Sequence, residues 1–107
     1  MSSVAAKSGG FTGHPPYAAA KAGVSALTIG LARYLAPHRV RVNAIAPGVI
    51  DTDMTKTARH ADLVARIPLG EVGTARDVAQ CALFLASDEA RHITGEIIDV
   101  NGGLWMD

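Results

Sequence analysis

Apolar residues follow a helical spacing in two segments of the chain and form short continuous runs in two others. Over residues 15–36, an alanine-rich sequence predicts a long helix, whose apolar stripe consists of Val24, Leu27, Leu31 and Leu35. Pro15 and Pro16 suit its first turn, and Pro37 ends it. Gly23 and Gly30 lower helix propensity, so we expect close packing against another backbone at these positions.

A second helix is predicted from Thr74 or Ala75 to Ser87. Thr74 has the character of an N-cap, and Asp77 occupies the third helical position, as in a capping box. The predicted apolar side of this helix consists of Val78, Ala82, Leu83 and Leu85.

Two short runs predict β-strands, over residues 39–46 and 96–100. Residues 49–66 are mixed in composition and predict a loop with a short helix, at the place where a lid over a site would lie. Residues 1–16 are rich in Ser, Gly and Pro and predict a loop that starts at the end of a strand. The order helix, strand, helix, strand indicates a parallel α/β architecture. Because a parallel sheet needs several strands with both faces covered, the chain resembles one half of a larger fold.

The composition narrows the classes of function. Hydrophobic residues make up 49% of the 107 residues, and ten basic side chains balance ten acidic ones. This balance argues against a nucleic-acid surface, and no apolar run approaches the ~20 residues of a membrane span. The single cysteine, Cys81, fits a reducing cytoplasm. The four histidines are scattered without ligand spacing, so we predict no metal site.

Tyr17 and Lys21 are the first candidates for chemistry. Residues four apart on a helix share a face. A nearby ammonium stabilises a phenolate, and a phenol so activated can exchange a proton with an alcohol. The spacing alone is weak evidence and favours a surface lysine beside a half-buried tyrosine.

Four ordered motifs place this pair in a family context. They are SSVA at 2–5, YAAAKAGV at 17–24, VNAIAPGVIDTDM at 42–54 and TGEIIDVNGG at 94–103. Together they resemble the C-terminal half of the short-chain dehydrogenase/reductase family, in particular its 3-oxoacyl-acyl-carrier-protein reductase type. The resemblance extends over essentially the whole chain. It implies an α/β fold, the C-terminal half of a doubly wound, Rossmann-type parallel sheet.

The resemblance also implies roles for individual residues. Tyr17 would protonate the carbonyl oxygen during reduction, and Lys21 would activate Tyr17 and bind the nicotinamide ribose. Ser3 would orient and polarise the substrate carbonyl, although Ser2 is adjacent and the loop to Tyr17 is about one residue longer than usual. The remaining cofactor-binding positions lie in the third motif. They are Pro47 and Gly48 in the turn beneath the nicotinamide, and Ile50 and Thr52 at its carboxamide, where Thr52 can also cap a helix.

Other features of the family are missing from the sequence. No glycine-rich phosphate-binding motif is found, so residues 1–107 are expected to form a partial domain that lacks the N-terminal dinucleotide-binding half. The cofactor is NADP or NAD, and the sequence does not distinguish them. The implied parent is a cytoplasmic homo-oligomer that acts on a small-molecule or acyl-carrier-linked carbonyl substrate, without nucleic-acid or membrane partners. We expect the isolated chain to be marginally stable and inactive. The alternative is a non-catalytic chain that serves as an oligomerisation or interaction module.

Overall fold

The helices and strands of the computed structural model are given for residues 1–11, 13–53 and 60–107, which are the residues that it describes. In chain order these elements are α1 (Ala5–Ser8), α2 (Pro15–Leu35), β1 (Ala44–Pro47), α3 (His60–Val64), α4 (Ala75–Ala86) and β2 (Ile97–Val100). The prediction for residues 49–66 falls partly on residues 54–59, which lie outside the described residues.

A parallel pair of strands forms the centre of the fold. β1 and β2 pair from Ala44 with Ile97 to Pro47 with Val100, and α4 lies between them in sequence. Residues 1–4, which we call the opening segment, run along the other edge of β1. The backbone N–H of Ser2 donates to Ile45 O at 2.8 Å, and that of Val4 donates to Pro47 O at 2.9 Å. Because both bonds advance by two residues in the same direction, the segment lies parallel to β1, as expected for the end of a strand.

The structure adds a one-turn helix that the sequence did not predict. α1 follows the opening segment directly, and Gly9, with a φ of 75°, ends it. At its start the hydroxyl of Ser3 accepts a hydrogen bond from Ala5 N at 3.1 Å. A single turn of four residues has no periodic pattern, so composition alone indicated a loop.

The first strand is shorter than predicted. It begins at Ala44 and not at residue 39, because side chains of Thr94 and Asn43 replace part of the backbone ladder before it, although Gly95 N still donates to Val42 O at 2.7 Å. Val42 N donates to the hydroxyl of Thr94 at 3.1 Å. The side-chain amide of Asn43 donates to Ile93 O at 2.9 Å and accepts from Glu96 N at 3.1 Å.

The long helix and its ends agree with the sequence. α2 has prolines in its first two positions and ends at Leu35, before a short 3-10 turn. Its buried residues are the small ones, Ala18, Thr28 and Ala32. Leu27 is 59% exposed and Leu31 37% exposed, so much of the apolar stripe has no packing partner in the described chain. Among the described residues, a Cβ on Gly23 or Gly30 would meet nothing within 4 Å outside the backbone of α2 itself, so the prediction of close packing against another backbone is wrong for this part of the chain.

α4 packs on the sheet through the side of the helix that carries Cys81 and Leu85. α4 starts with the predicted capping box between Thr74 and Asp77. Leu85 is buried and forms the core with Ile45 and Ala90, while the partly buried Cys81 packs against this cluster. Leu83, which was predicted on the apolar side, is 64% exposed, because it lies two residues from Leu85 and therefore on another face of the helix.

Candidate functional site

The N-terminal half of α2 presents Tyr17 and Lys21 on one side of the helix. The ammonium of Lys21 lies 5.7 Å from the centroid of the Tyr17 ring, within cation–π distance. Tyr17 is 50% exposed, so its phenol can reach a bound molecule. The structure therefore brings together the two residues that the sequence pairs.

Lys21 also connects α2 to the opening segment. Its ammonium donates to the backbone carbonyl of Met1 at 3.1 Å. An ammonium carries three N–H donors, so this bond leaves donors for the oxygen atoms of a ligand. The contact links the Tyr17–Lys21 pair to the segment that carries Ser3.

The two adjacent serines have different partners. Ser2 is buried, and its hydroxyl donates to Lys21 O at 3.1 Å and lies 2.8 Å from the hydroxyl of Ser25. Ser3 is also buried, but its hydroxyl accepts from the amide of Ala5 within its own turn. Since Ser2 is bonded to α2, the side chain with a remaining hydroxyl proton to offer a carbonyl oxygen is Ser3.

The third group of candidates follows β1 at its carboxyl end. Pro47 is the last residue of β1, and Gly48 N donates to Val100 O at 2.9 Å. A Cβ on Gly48 would lie 2.7 Å from the Cβ and 2.8 Å from the Cα of Asn101. Only glycine allows the turns after β1 and β2 to approach this closely.

Ile50 and Thr52 continue this turn. Ile50 forms a parallel bridge with Gly73, and Asp51 N donates to Gly73 O at 2.8 Å. A Cβ on Gly73 would lie 2.7 Å from Cδ1 of Ile50, so the glycine makes room for that side chain. Thr52 is exposed. The backbone at Ile50 is fixed, whereas Thr52 is accessible to a ligand.

The ends of the two strands and of the opening segment share one edge of the fold. The carboxyl ends of β1 and β2 meet at Pro47 and Val100, and Val4 N joins the opening segment to Pro47. In open α/β sheets ligands bind at the carboxyl ends of the strands. Among the residues that the structure describes, no group of three His, Cys, Asp or Glu side chains could hold a metal. None of the described helices is long and apolar enough to cross a membrane.

A charged cluster near the site was not found from the sequence. Lys7 on α1 forms ion pairs with Asp99 of β2 at 2.6 Å and with Asp107 at 2.7 Å. Burial alone would lower the pKa of Lys7, but its hydrogen bonds to the two carboxylates raise that pKa above the usual value. The hydrogen bond from Lys7 lowers the pKa of Asp107. The partners lie 92 and 100 residues away in sequence, and no local pattern indicates such a pairing.

Comparisons with known proteins show the family of the chain. A family model described as "Enoyl-(Acyl carrier protein) reductase" matches residues 1–105. An uncharacterized short-chain type dehydrogenase/reductase of Sinorhizobium fredii is 50% identical over 99% of the chain, which spans 44% of that relative. A 3-oxoacyl-acyl-carrier-protein reductase of Salmonella typhimurium is 46% identical over 91% of the chain, which spans 41% of the relative. The chain thus spans less than half the length of each of these two relatives.

Solved structures show the same fold. A short-chain dehydrogenase/reductase from Brucella melitensis, described as a glucose/ribitol dehydrogenase, matches with a TM-score of 0.91 at 37% identity, over 99% of this chain and 44% of that one. A blue fluorescent protein from a metagenomic library, solved with NADPH, matches with a TM-score of 0.89 at 35% identity, over 98% and 43% of the two chains. The α/β fold with parallel strands is therefore the Rossmann-type fold of these proteins, and the chain belongs to the short-chain dehydrogenase/reductase family.

Proposed function

We propose that this chain supplies the catalytic and C-terminal part of an NAD(P)-dependent oxidoreductase. The enzyme would transfer a hydride between a nicotinamide cofactor and a carbonyl or alcohol substrate. The observation that carries this proposal is the Tyr17–Lys21 pair, tied through Met1 to the segment bearing Ser3. The 44% share of the Sinorhizobium relative supports the assignment of residues 1–107 to a partial domain without its dinucleotide-binding half.

Each residue has a defined task in this proposal. The bound nicotinamide supplies the hydride chemistry. The Ser3 hydroxyl orients and polarises the carbonyl oxygen, and the Tyr17 phenol gives that oxygen its proton as negative charge develops. Lys21 stabilises the phenolate and binds the ribose hydroxyls. Ser3, Tyr17 and Lys21 thus act on the substrate, while Tyr17, Lys21, Pro47, Gly48, Ile50 and Thr52 hold the cofactor.

The substrate class is inferred from the relatives. Several are named 3-oxoacyl-acyl-carrier-protein reductases, which favours a carbonyl carried on an acyl-carrier thioester. The structure with NADPH supports a nicotinamide cofactor without deciding between NADP and NAD. We further propose a cytoplasmic location and a homo-oligomeric parent.

The test uses the chain alone and a joined protein. In the joined protein, the part of the Sinorhizobium relative that precedes its aligned region is linked to Met1. We expect NADPH oxidation with a 3-oxoacyl thioester by the joined protein and none by the chain alone. Tyr17→Phe should lower turnover at least ~100-fold, the usual contribution of a general acid, with cofactor binding largely intact because the other cofactor-binding positions are unchanged.

Tyr34→Phe is the matched control. Tyr34 lies on the same helix and is 76% exposed, so its variant should keep turnover within about twofold. Lys21→Ala should weaken both NADPH binding and turnover. Turnover of Tyr17→Phe within tenfold of the unmodified joined protein would contradict the assignment.

A second candidate function rests on exposed apolar surface. Leu27, Tyr34, Leu83 and Phe84 are between 46% and 76% exposed, which fits a non-catalytic chain that binds other subunits of the family. Size-exclusion chromatography of the chain mixed with the intact Sinorhizobium relative distinguishes the two functions. A stable mixed complex, together with an inactive joined protein, would favour the interaction module.

A further inference from the structure

Two consecutive residues of the opening segment hold both ends of Lys21. Its ammonium donates to Met1 O at 3.1 Å, and its own backbone carbonyl accepts from the Ser2 hydroxyl at 3.1 Å. The Ser2 hydroxyl also lies 2.8 Å from that of Ser25. One lysine is therefore fixed at its backbone and at its charged end by the same neighbouring segment.

The two contacts of the Ser2 hydroxyl, with Lys21 O and with the Ser25 hydroxyl, allow one assignment of hydrogen-bond donors. Each hydroxyl has one proton and can accept as well as donate. If Ser2 donates to Lys21 O, then Ser25 donates to Ser2 and completes a chain of two bonds. The remaining contact, from Ser25 to Lys21 O, is 3.4 Å long and is the weakest of the three.

Another hydroxyl on the same helix shows what a purely helical role looks like. Thr28 is buried and donates to Val24 O at 2.9 Å, one turn back along α2. Ser25 has the same option at Lys21 O, but its short contact is with Ser2 on a different element. Its hydroxyl therefore joins two elements, whereas that of Thr28 stays within one.

The position of Ser25 gives this contact a consequence for the site. Tyr17, Lys21 and Ser25 are spaced by four residues, so they form one stripe along α2. The contact between Ser2 and Ser25, the last residue of this stripe, fixes the rotation of α2 about its axis relative to the opening segment. That rotation determines where Tyr17 and Lys21 stand relative to Ser3, the neighbour of Ser2.

We propose that Ser2 and Ser25 are positioning residues, which orient the Tyr17–Lys21 pair toward Ser3 through their hydroxyl–hydroxyl contact. The orientation of Lys21 is a property of the chain itself. The effect on turnover rests on the function proposed above.

The first experiment measures the orientation of Lys21 without catalysis. The lysines of the chain are Lys7, Lys21 and Lys56, and trace acetylation followed by peptide mass spectrometry gives the reactivity of Lys21 relative to Lys7. Ser25→Ala should raise this ratio about fivefold, which corresponds to the loss of one ordinary hydrogen bond, and Ser2→Ala should raise it at least as much because it also loses the bond to Lys21 O. The double variant should not exceed Ser2→Ala, because Ser2→Ala already removes the contact between the two hydroxyls.

Two further variants distinguish a positioning role of the serines from a general loss of stability of the chain. Thr28→Val removes a buried hydroxyl from the same helix and should leave the ratio within about twofold, and Ser25→Thr should restore the original ratio. An unchanged ratio in both serine variants, or an equal rise in Thr28→Val, would overturn the proposal. The same labelling on the joined protein decides the question if a variant of the chain alone does not fold.

The second experiment links orientation to catalysis in the joined protein. Ser25→Ala should lower kcat about fivefold with little change in KM for the thioester, and Ser25→Thr should recover it. A raised Lys21 labelling ratio with unchanged kcat would refute the catalytic consequence alone. An inactive joined protein would contradict the proposed function, and the labelling ratios would still decide whether the serines orient Lys21.

Discussion

Gly48→Ala is a direct test of the close approach between the turns that follow β1 and β2. The new Cβ would lie 2.7 Å from the Cβ of Asn101, whereas ordinary contact begins at 3.4 Å. The two turns must therefore separate by about 0.7 Å, and the 2.8 Å contact with the Asn101 backbone prevents a side-chain rotation from relieving the clash. Gly48 is not among the glycines with positive φ, so the cost is steric. We expect a loss of about 1–3 kcal/mol in the free energy of unfolding, as for overpacked positions.

Gly23→Ala provides the matched control for this substitution. A Cβ on Gly23 meets nothing within 4 Å among the described residues outside the backbone of α2, so the same change should stabilise the chain by about 0.5–1 kcal/mol. Urea unfolding followed by the fluorescence of Trp105 measures both, since the Asn101 side chain donates to Trp105 O at 2.9 Å. Placing Gly48→Ala in the Gly23→Ala background supplies a folded baseline if the chain is marginally stable. An unfolding midpoint for Gly48→Ala equal to that of the unmodified chain would refute the steric argument.

Three further predictions concern charged and nucleophilic groups. Hydrogen bonds from Thr74 hold the pKa of Asp77 below its usual value. The stability that Asp77 contributes is therefore present above its pKa in the unfolded chain and is lost as the pH falls through its pKa in the folded chain. Urea unfolding midpoints measured from pH 5 to pH 2 should depend less on pH in Thr74→Ala than in the unmodified chain. Burial opposes the charge of Lys7, but hydrogen bonding to Asp107 raises the pKa of Lys7 above its usual value. The stability that Lys7 contributes is therefore present below its pKa in the unfolded chain and is lost as the pH rises through its pKa in the folded chain. Lys7→Met should remove this loss of stability at alkaline pH, which urea unfolding midpoints from pH 9 to pH 12 measure. Burial raises the pKa of the Cys81 thiol, so reaction with a disulfide reagent at pH 8 should be slower than for free cysteine and should accelerate in urea; equal rates would contradict the packed position.

Features determined by neighbouring residues in sequence could be predicted well. The Thr74–Asp77 capping box and the prolines at the start of α2 depend only on residues within one helical turn. The pairing of Tyr17 with Lys21 likewise follows from helical spacing, and the structure places both side chains together.

Features that depend on distant partners could not be predicted. Asn43 was assigned to a strand from its neighbours, but its amide bonds with groups 50 and 53 residues away interrupt the ladder. The contacts of Ser2 with Ser25 and of Lys7 with Asp99 also join residues far apart in sequence. Their positions follow from the parallel packing of β1 and β2, which short-range patterns do not encode.

Backbone hydrogen bonds anchor the chain on both sides of residues 53–68, and this bears on substrate choice. At one end, Gly73 pairs with the backbone on both sides of Ile50: Gly73 N donates to Val49 O at 3.0 Å, and Asp51 N donates to Gly73 O at 2.8 Å. Further back, Leu69 N donates to Gly102 O at 3.1 Å in the turn after β2. The turn at Gly48 and the end of β2 are thus held by backbone bonds that do not involve residues 53–68. On the function proposed above, substitutions at residues 60–68, which exclude Thr52, should therefore change which carbonyl compound is accepted while leaving nicotinamide binding intact, because they leave the backbone bonds of the turn at Gly48 in place.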